Sequence, residues 1–352
     1  MKTSVVNDLA AKIEKKWQKH NFCSEAFCDL VWSLTQNDTF ADLSSISAQL
    51  EYIEHQGVRD IQMSSTFSDM FIQIFKNDRF TIEILNWRGG HVNIHDHDFS
   101  GVQFQLAGDS LNILYDFEEG QRLGAIQFGR LKVRNAKIWK EGSRSIVRAG
   151  SVDPHSVSHI GKPTTSLLVR TLPTKRFGAQ SNYFPDCKAQ YTISTPLFRK
   201  KLTGLTLLSK SEPKEFEKVI RSYIDKQSLS ENLFMLEKLA PILFSQNYSS
   251  LVESLSNSST GIDSILGDIL FSHLSKQLKK VANTRDLSWQ ERTLLFALAS
   301  VPNDSDMKKT ILEINQSADS HLDISQLDSI RAKLTDRESQ IINSARKLQC
   351  TR

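Results

Sequence analysis

The sequence predicts an α+β chain in which one β-barrel domain lies between two helical regions. Three observations predict it. The apolar period is helical up to about Gln56, two-residue from about Met63 to Thr171, and helical again after Pro185. The middle segment reads as many short strands at regular turn spacing, the pattern of a sandwich or small barrel. That segment also carries His95-Asp96-His97, a pair of histidines on a strand-like run. The boundaries expected are an N-terminal helical cap over 1–62, a barrel over 63–185 and an all-helical region over 186–352.

The elements follow in order. Val5, Leu9, Ile13 and Trp17 recur at helical spacing, which predicts an amphipathic helix over 4–20. Phe27, Val31, Leu34 and then Ile46, Leu50, Ile53 continue the pattern, with Gly57 as a helix stop. Phe71–Phe75 and Phe80–Leu85 read as strands joined at Asn77-Asp78-Arg79, a hairpin. Further strands are expected at Val102–Leu106, Leu111–Phe117, Ala125–Phe128, Leu131–Trp139, Ser145–Arg148 and Ser166–Arg170. Turns are expected at Gly101, Gly108-Asp109, Glu119-Gly120, Glu141-Gly142 and Gly161-Lys162-Pro163, with a Gly-Ser-x-Asp-Pro turn before His155. Beyond the barrel, Ser211-Glu212-Pro213 opens a helix through Phe216, Ile220 and Ile224. Ile262 to Val281 gives another, and Ser288-Trp289-Gln290-Glu291 is a capping box before Leu294. Leu327 to Leu348 predicts one last long helix; Ser249-Ser250 and Ser256 to Ser259 read as loops. His273 falls on an apolar stripe and is expected to pack.

Composition narrows the function. Apolar content is 39% and charged content 24%, as in soluble globular chains. A net charge of +4 with short lysine pairs and interleaved acids argues against a nucleic-acid footprint. The Met1 to Asp8 stretch lacks a signal-peptide core, and no apolar stretch is long enough to span a membrane. Four cysteines without a framework, Cys23, Cys28, Cys187 and Cys350, fit reduced thiols and a cytoplasmic location.

Chemistry concentrates at the histidines. Residues i and i+2 of a strand point to one face, so His95 and His97 can aim two imidazoles at one point. Neutral imidazole suits iron, zinc, copper and nickel, and a third ligand is required. His155 is the leading candidate, with His159 behind it.

Phe80, Ile84-Leu85, Trp87, Gly90-His91, Ile94-His95-Asp96-His97, Ser100 and Gly108, followed by His155, Val157, Pro163 and Ser166-Leu167, resemble the cysteine dioxygenase branch of the cupin superfamily over about residues 25–180. The resemblance implies a cupin β-barrel, a double-stranded β-helix, holding mononuclear non-haem Fe(II) on His95, His97 and His155. It implies an oxygenase or oxidase that takes a small molecule and dioxygen. The Ser100 to Gln103 stretch lacks the carboxylate that general cupins use as a further ligand. Gly101 precludes a Cys–Tyr crosslink there. The branch's carboxylate-gripping Arg should fall near Phe71 to Gln73, where no Arg stands, and its Ser–His–Tyr relay falls on Ser166, Leu168 and Arg170. Free cysteine is therefore not the expected substrate; a different thiol, amino-acid-like or natural-product substrate is. If 166, 168 and 170 face inward, Arg170 can grip an acidic group and is the expected catalytic and substrate-binding residue. The alternative is that it pairs with a protein carboxylate. Trp87 and Arg88 are further expected substrate contacts, and Asp153 is a weaker candidate.

Two other functions are carried. One is a non-catalytic metal-binding cupin, a scaffold or sensor whose helical region binds a partner or dimerises. The other is a zinc or nickel cupin with isomerase or lyase chemistry.

Overall fold

A computed structural model describes residues 3–36, 40–65, 68–89, 93–161, 163–190, 195–257 and 261–352. Gly90 and His91 of the cupin-like motif, Lys162 of an expected turn, and Ser258-Ser259 lie outside them. Four helices come first: α1 (Thr3–Gln18), α2 (Ser24–Leu34), α3 (Ile46–Ile53) and the single turn α4 (Gln56–Arg59). Gly57 thus sits inside a short helix rather than ending one. The strands are β1 (Met70–Lys76), β2 (Phe80–Trp87), β3 (His95–His97), β4 (Gly101–Ala107), β5 (Ser110–Leu123), β6 (Ile126–Trp139), β7 (Arg144–Val147), β8 (Gly150–His159), β9 (Thr164–Thr171), β10 (Ser181–Tyr183) and β11 (Cys187–Gln190). The last nine helices are α5 (Pro196–Ser211), α6 (Pro213–Lys226), α7 (Leu229–Leu243), α8 (Ser249–Ser256), α9 (Asp263–Thr284), α10 (Trp289–Ser300), α11 (Asp304–Ala318), α12 (Gln326–Arg331) and α13 (Asp336–Thr351).

The strands form two antiparallel layers. One is a five-stranded sheet in the order β1-β2-β9-β4-β7; the other closes on itself as β10-β11-β6-β5-β8-β3. This is the expected α+β fold, a β-barrel between helical regions. Period-2 alternation sorts the sheet's side chains. Ile82, Ile84, Val102, Phe104, Leu167 and Val169 pack outward against Ile13, Trp17, Phe27 and Val31 of α1 and α2. Leu85, Trp87 and Leu168 turn the other way, into the space the two layers share.

Several boundaries differ from the sequence reading, each for a local reason. The chain between 110 and 139 is one long hairpin, β5 paired with β6 through two register shifts, where the sequence predicts three strands with a break at Gly129. No side chain fits at Gly129, since a Cβ would meet the Glu118 carbonyl at 2.3 Å. The expected turn before His155 is part of β8. The expected last long helix is two helices, because Thr335 and Glu338 form a capping box that restarts α13. Ser249 and Ser250 open α8 rather than lying in a loop. The hairpin of β10 and β11 pairs with β3 and β6, so barrel strands continue past residue 185. The Ser288–Glu291 capping box is present on α10 as read.

The C-terminal helices dock on the hairpin. Leu111, Ile113, Leu131, Val133 and Ile138 share a core with Leu294, Leu295, Leu298, Ile311 and Ile314. Tyr115, fully buried, contacts Ser156 Oγ at 2.9 Å and donates its hydroxyl to the Ser300 carbonyl at 2.9 Å. Burial pushes this phenol above its usual range, so it stays protonated. Tyr115→Phe leaves the Ser300 carbonyl buried without that donor. It should cost about 1–3 kcal/mol in urea unfolding, with little change in the m-value.

Candidate metal centre

The centre begins with strand register. On β3, His95 stands opposite His155 of β8, whereas His97 stands opposite Gly150. The intervening residues of β8 bulge, and Pro154 lies within that bulge, where a missing N–H is tolerated. The bulge carries His155 back toward the pair on β3.

Three donor atoms, one each from His95, His97 and His155, lie within 4.8 Å of one another. His97 Nε2 is 3.2 Å from His155 Nε2. Ligand nitrogens about 2.0–2.1 Å from one ion would sit roughly 2.8–3.4 Å apart in octahedral or tetrahedral geometry, which brackets that distance. His95 donates Nδ1–H to the Asn93 carbonyl at 2.7 Å, which leaves its Nε2 as a lone pair. That Nε2 is buried with no hydrogen-bond partner. The His155 ring bonds the Asp153 backbone. Burial holds all three imidazoles neutral: His155 falls to about 3, and His97, also facing the other two rings and Arg170, falls well below its usual value. Three neutral donors without a carboxylate among them, one of them (His95 Nε2) unpartnered, fit a divalent metal with open positions.

Asp96, between the two histidines in sequence, faces the opposite way. Its carboxylate accepts from Ser181 N at 2.7 Å and from the Tyr183 hydroxyl at 2.9 Å. Burial, then the neighbouring carboxylate, keeps the Tyr183 phenol protonated to make that bond. Asp96 therefore ties β3 to β10 and fixes the strand that carries both histidines.

A cavity adjoins the triad. Leu85, Trp87, Phe99, Gln103, Val147, Val157, His159 and Leu168 line it with the three histidines, and its free volume is about 30 Å³. Of the sequence-predicted site residues, His95, His97, His155 and Trp87 come together here. Arg170 does not line it. Its guanidinium forks onto the Glu83 carboxylate, Nε to Oε2 and Nη2 to Oε1, both at 2.8 Å, and lies 4.7 Å over the Phe99 ring. Glu83 is 1% exposed and also accepts from Thr81 Oγ1 at 2.8 Å. The protein-carboxylate alternative describes this side chain. Arg88 is exposed, with its amide donating to Asp69. Asp153 pairs with Arg134 and Arg148, each at 2.7 Å. The sequence reading missed Glu83 as Arg170's partner, although both stand at inward positions of neighbouring strands. It also missed Phe99 and Gln103, for which no residue-level signal exists. His159, weighed there as a ligand, lies on the cavity wall outside the triad.

No family model matches this chain, and no curated protein does. Among solved structures, the chain is similar to the Lactobacillus farciminis oxalate decarboxylase formate complex, at 17% identity and a TM-score of 0.25 over 33% of this chain. It spans about a third of that protein, 32%. A double-stranded β-helix protein from Klebsiella pneumoniae matches at 12% identity and TM-score 0.22, covering 33% of this chain and 88% of that one. A cupin superfamily protein from Desulfitobacterium hafniense matches at 9% and 0.21, covering 31% and 83%.

Two predictions follow from this geometry. Removing Arg170 strands the Glu83 carboxylate in the interior. Arg170→Ala should therefore lose about 3–5 kcal/mol of stability, while a double change to apolar residues of similar size recovers most of it. Chemical denaturation of the two variants measures this. His155 and His159 both fall to about 3 through burial, whereas the unfolded chain protonates them near 6.5. The unfolded state thus binds more protons below about 6.5. Stability of metal-free protein should be full above that value and fall as pH drops toward about 3. Replacing His159 by Phe should shallow that fall, as read by urea midpoints at several pH values.

Proposed function

We propose that the chain is a mononuclear non-haem iron oxygenase or oxidase of the cupin type, with His95, His97 and His155 as the ligands. The observation that carries this reading is the convergence of three buried neutral imidazoles with no carboxylate in the set. Fe(II) held there would supply open positions for substrate and dioxygen, and the substrate would supply the electrons. The protein's own contribution is positional. Hydrogen bonds to Asn93 and Asp153 fix two of the rings, the Asp96 anchor fixes β3, and largely apolar walls surround the triad. The proposed substrate is a small thiol, amino-acid-like molecule or natural product. Free cysteine fits poorly, because its carboxylate finds no unpaired Arg among the residues lining the cavity and Arg170 is engaged by Glu83.

A second reading, a metal-binding scaffold or sensor, draws on the volumes. The cavity holds about two waters. A groove of about 970 Å³ lies instead among α7, α9 and α13, lined by Phe244, Leu270, Leu274, Ile341 and Leu348, and would serve a partner. Among the described residues, no helix is long and apolar enough to cross a membrane.

Protein purified without oxygen and without added metal should carry about one iron per chain, and single Ala substitutions at His95, His97 or His155 should strip it without unfolding. Oxygen electrode traces with a thiol panel should show uptake with at least one member. Zinc or nickel in place of iron contradicts the oxygenase. Iron without uptake favours the scaffold. Cysteine turnover at an ordinary enzymatic rate, about 1–10³ per second, contradicts the exclusion of cysteine.

A further inference from the structure

The cavity has a second polar pole besides the triad. His159 is 1% exposed and lines the cavity, and its ring stacks on Trp87 with centroids 4.5 Å apart and planes 16° apart. Its Nδ1 lies 3.1 Å from Ser110 Oγ, and its Nε2 is buried with no hydrogen-bond partner.

The hydrogen bonds behind the ring fix which nitrogen carries the proton. Gln105 donates its amide Nε2 to the Ala107 carbonyl at 3.1 Å and to the Gly108 carbonyl at 2.9 Å. Carbonyls only accept, so the Gln105 side-chain oxygen must be the atom that faces Ser110. Ser110 Oγ lies 3.5 Å from that oxygen, and giving its single proton there makes it the acceptor for His159 Nδ1 at 3.1 Å. His159 is thereby the Nδ1–H tautomer, and Nε2 presents a lone pair. Burial also holds the ring neutral. A buried acceptor left unpaired costs free energy, which a ligand's donor would recover.

We propose that His159 is a ligand-positioning residue. With Trp87 beside it, it accepts a hydrogen bond from an uncharged hydroxyl or N–H group on a ligand whose other end sits at the histidine triad. This rests on the reading of the triad as a metal centre. The pairing also restricts charge, since a lone pair repels a carboxylate and the Arg170 guanidinium is taken by Glu83. Apart from Gln103, the remaining walls are apolar, Leu85, Val157 and Leu168 among them, so the body of the ligand is mostly apolar. His155 and His159 are four residues apart on β8, about 13 Å between Cα atoms, which bounds the ligand's length from above. The free volume of about 30 Å³ means that side chains lining the cavity move aside for it.

The test uses the full chain loaded with cobalt(II), whose thiolate absorption band reports binding, and titrates it with ω-mercaptoalcohols of two to six carbons. Each is compared with the alkanethiol that has a methyl group in place of the hydroxyl. At one or two chain lengths the hydroxyl compound should bind at least roughly fivefold tighter than its methyl counterpart. His159→Phe, which keeps the stacking on Trp87, should retain cobalt and lose the preference. His159→Gln, which restores an acceptor, should recover part of it. A preference absent at every length, or unchanged in His159→Phe, overturns the inference while leaving the metal centre standing. Failure of the unaltered chain to hold cobalt overturns both.

Discussion

The pairing of β3 with β8 is the constraint on which the rest depends. Opposite residues of an antiparallel pair place side chains within about 5.5 Å, so His95 opposite His155 brings two imidazoles together before any other contact is made. The bulge in β8 then lets His97, two residues further along β3, reach the same point. Strand β3 is only three residues long and could not hold this register alone. Asp96 supplies the missing rigidity by bonding β10 from the outward face. One tripeptide thus carries two histidines inward and one anchor outward, as strand alternation requires.

The two helical regions make this geometry affordable in stability. The N-terminal helices cover the outer face of the five-stranded sheet, and the C-terminal helices cover the β5–β6 hairpin. Their packing leaves the inner faces free to carry groups that stabilise nothing by themselves: three neutral imidazoles, the orphan Nε2 of His159, and a buried Glu83–Arg170 pair. Such groups concentrate where function is served.

Much of this was legible in the sequence. The period change marked the barrel, and the i, i+2 spacing marked the histidine pair. His155 was named on its position after a further glycine-containing segment, and the structure groups it with the pair. What was not legible depends on cross-strand register. Arg170 reads as a free guanidinium until Glu83 is known to sit on the adjacent strand, since Thr81 is its direct partner and Glu83 the diagonal one. The short β10 and β11 carry too few residues for a periodic signal. The break between α12 and α13 was readable from Thr335 and Glu338, but the apolar spacing on either side masked it.

X-ray absorption at the iron edge of the Fe(II)-loaded chain tests the central claim most directly. The account predicts a first shell of nitrogen and oxygen only, with multiple scattering from three imidazoles that falls to two in His155→Ala. A sulfur scatterer, a shell unchanged by His155→Ala, or no stoichiometric iron at all would contradict it.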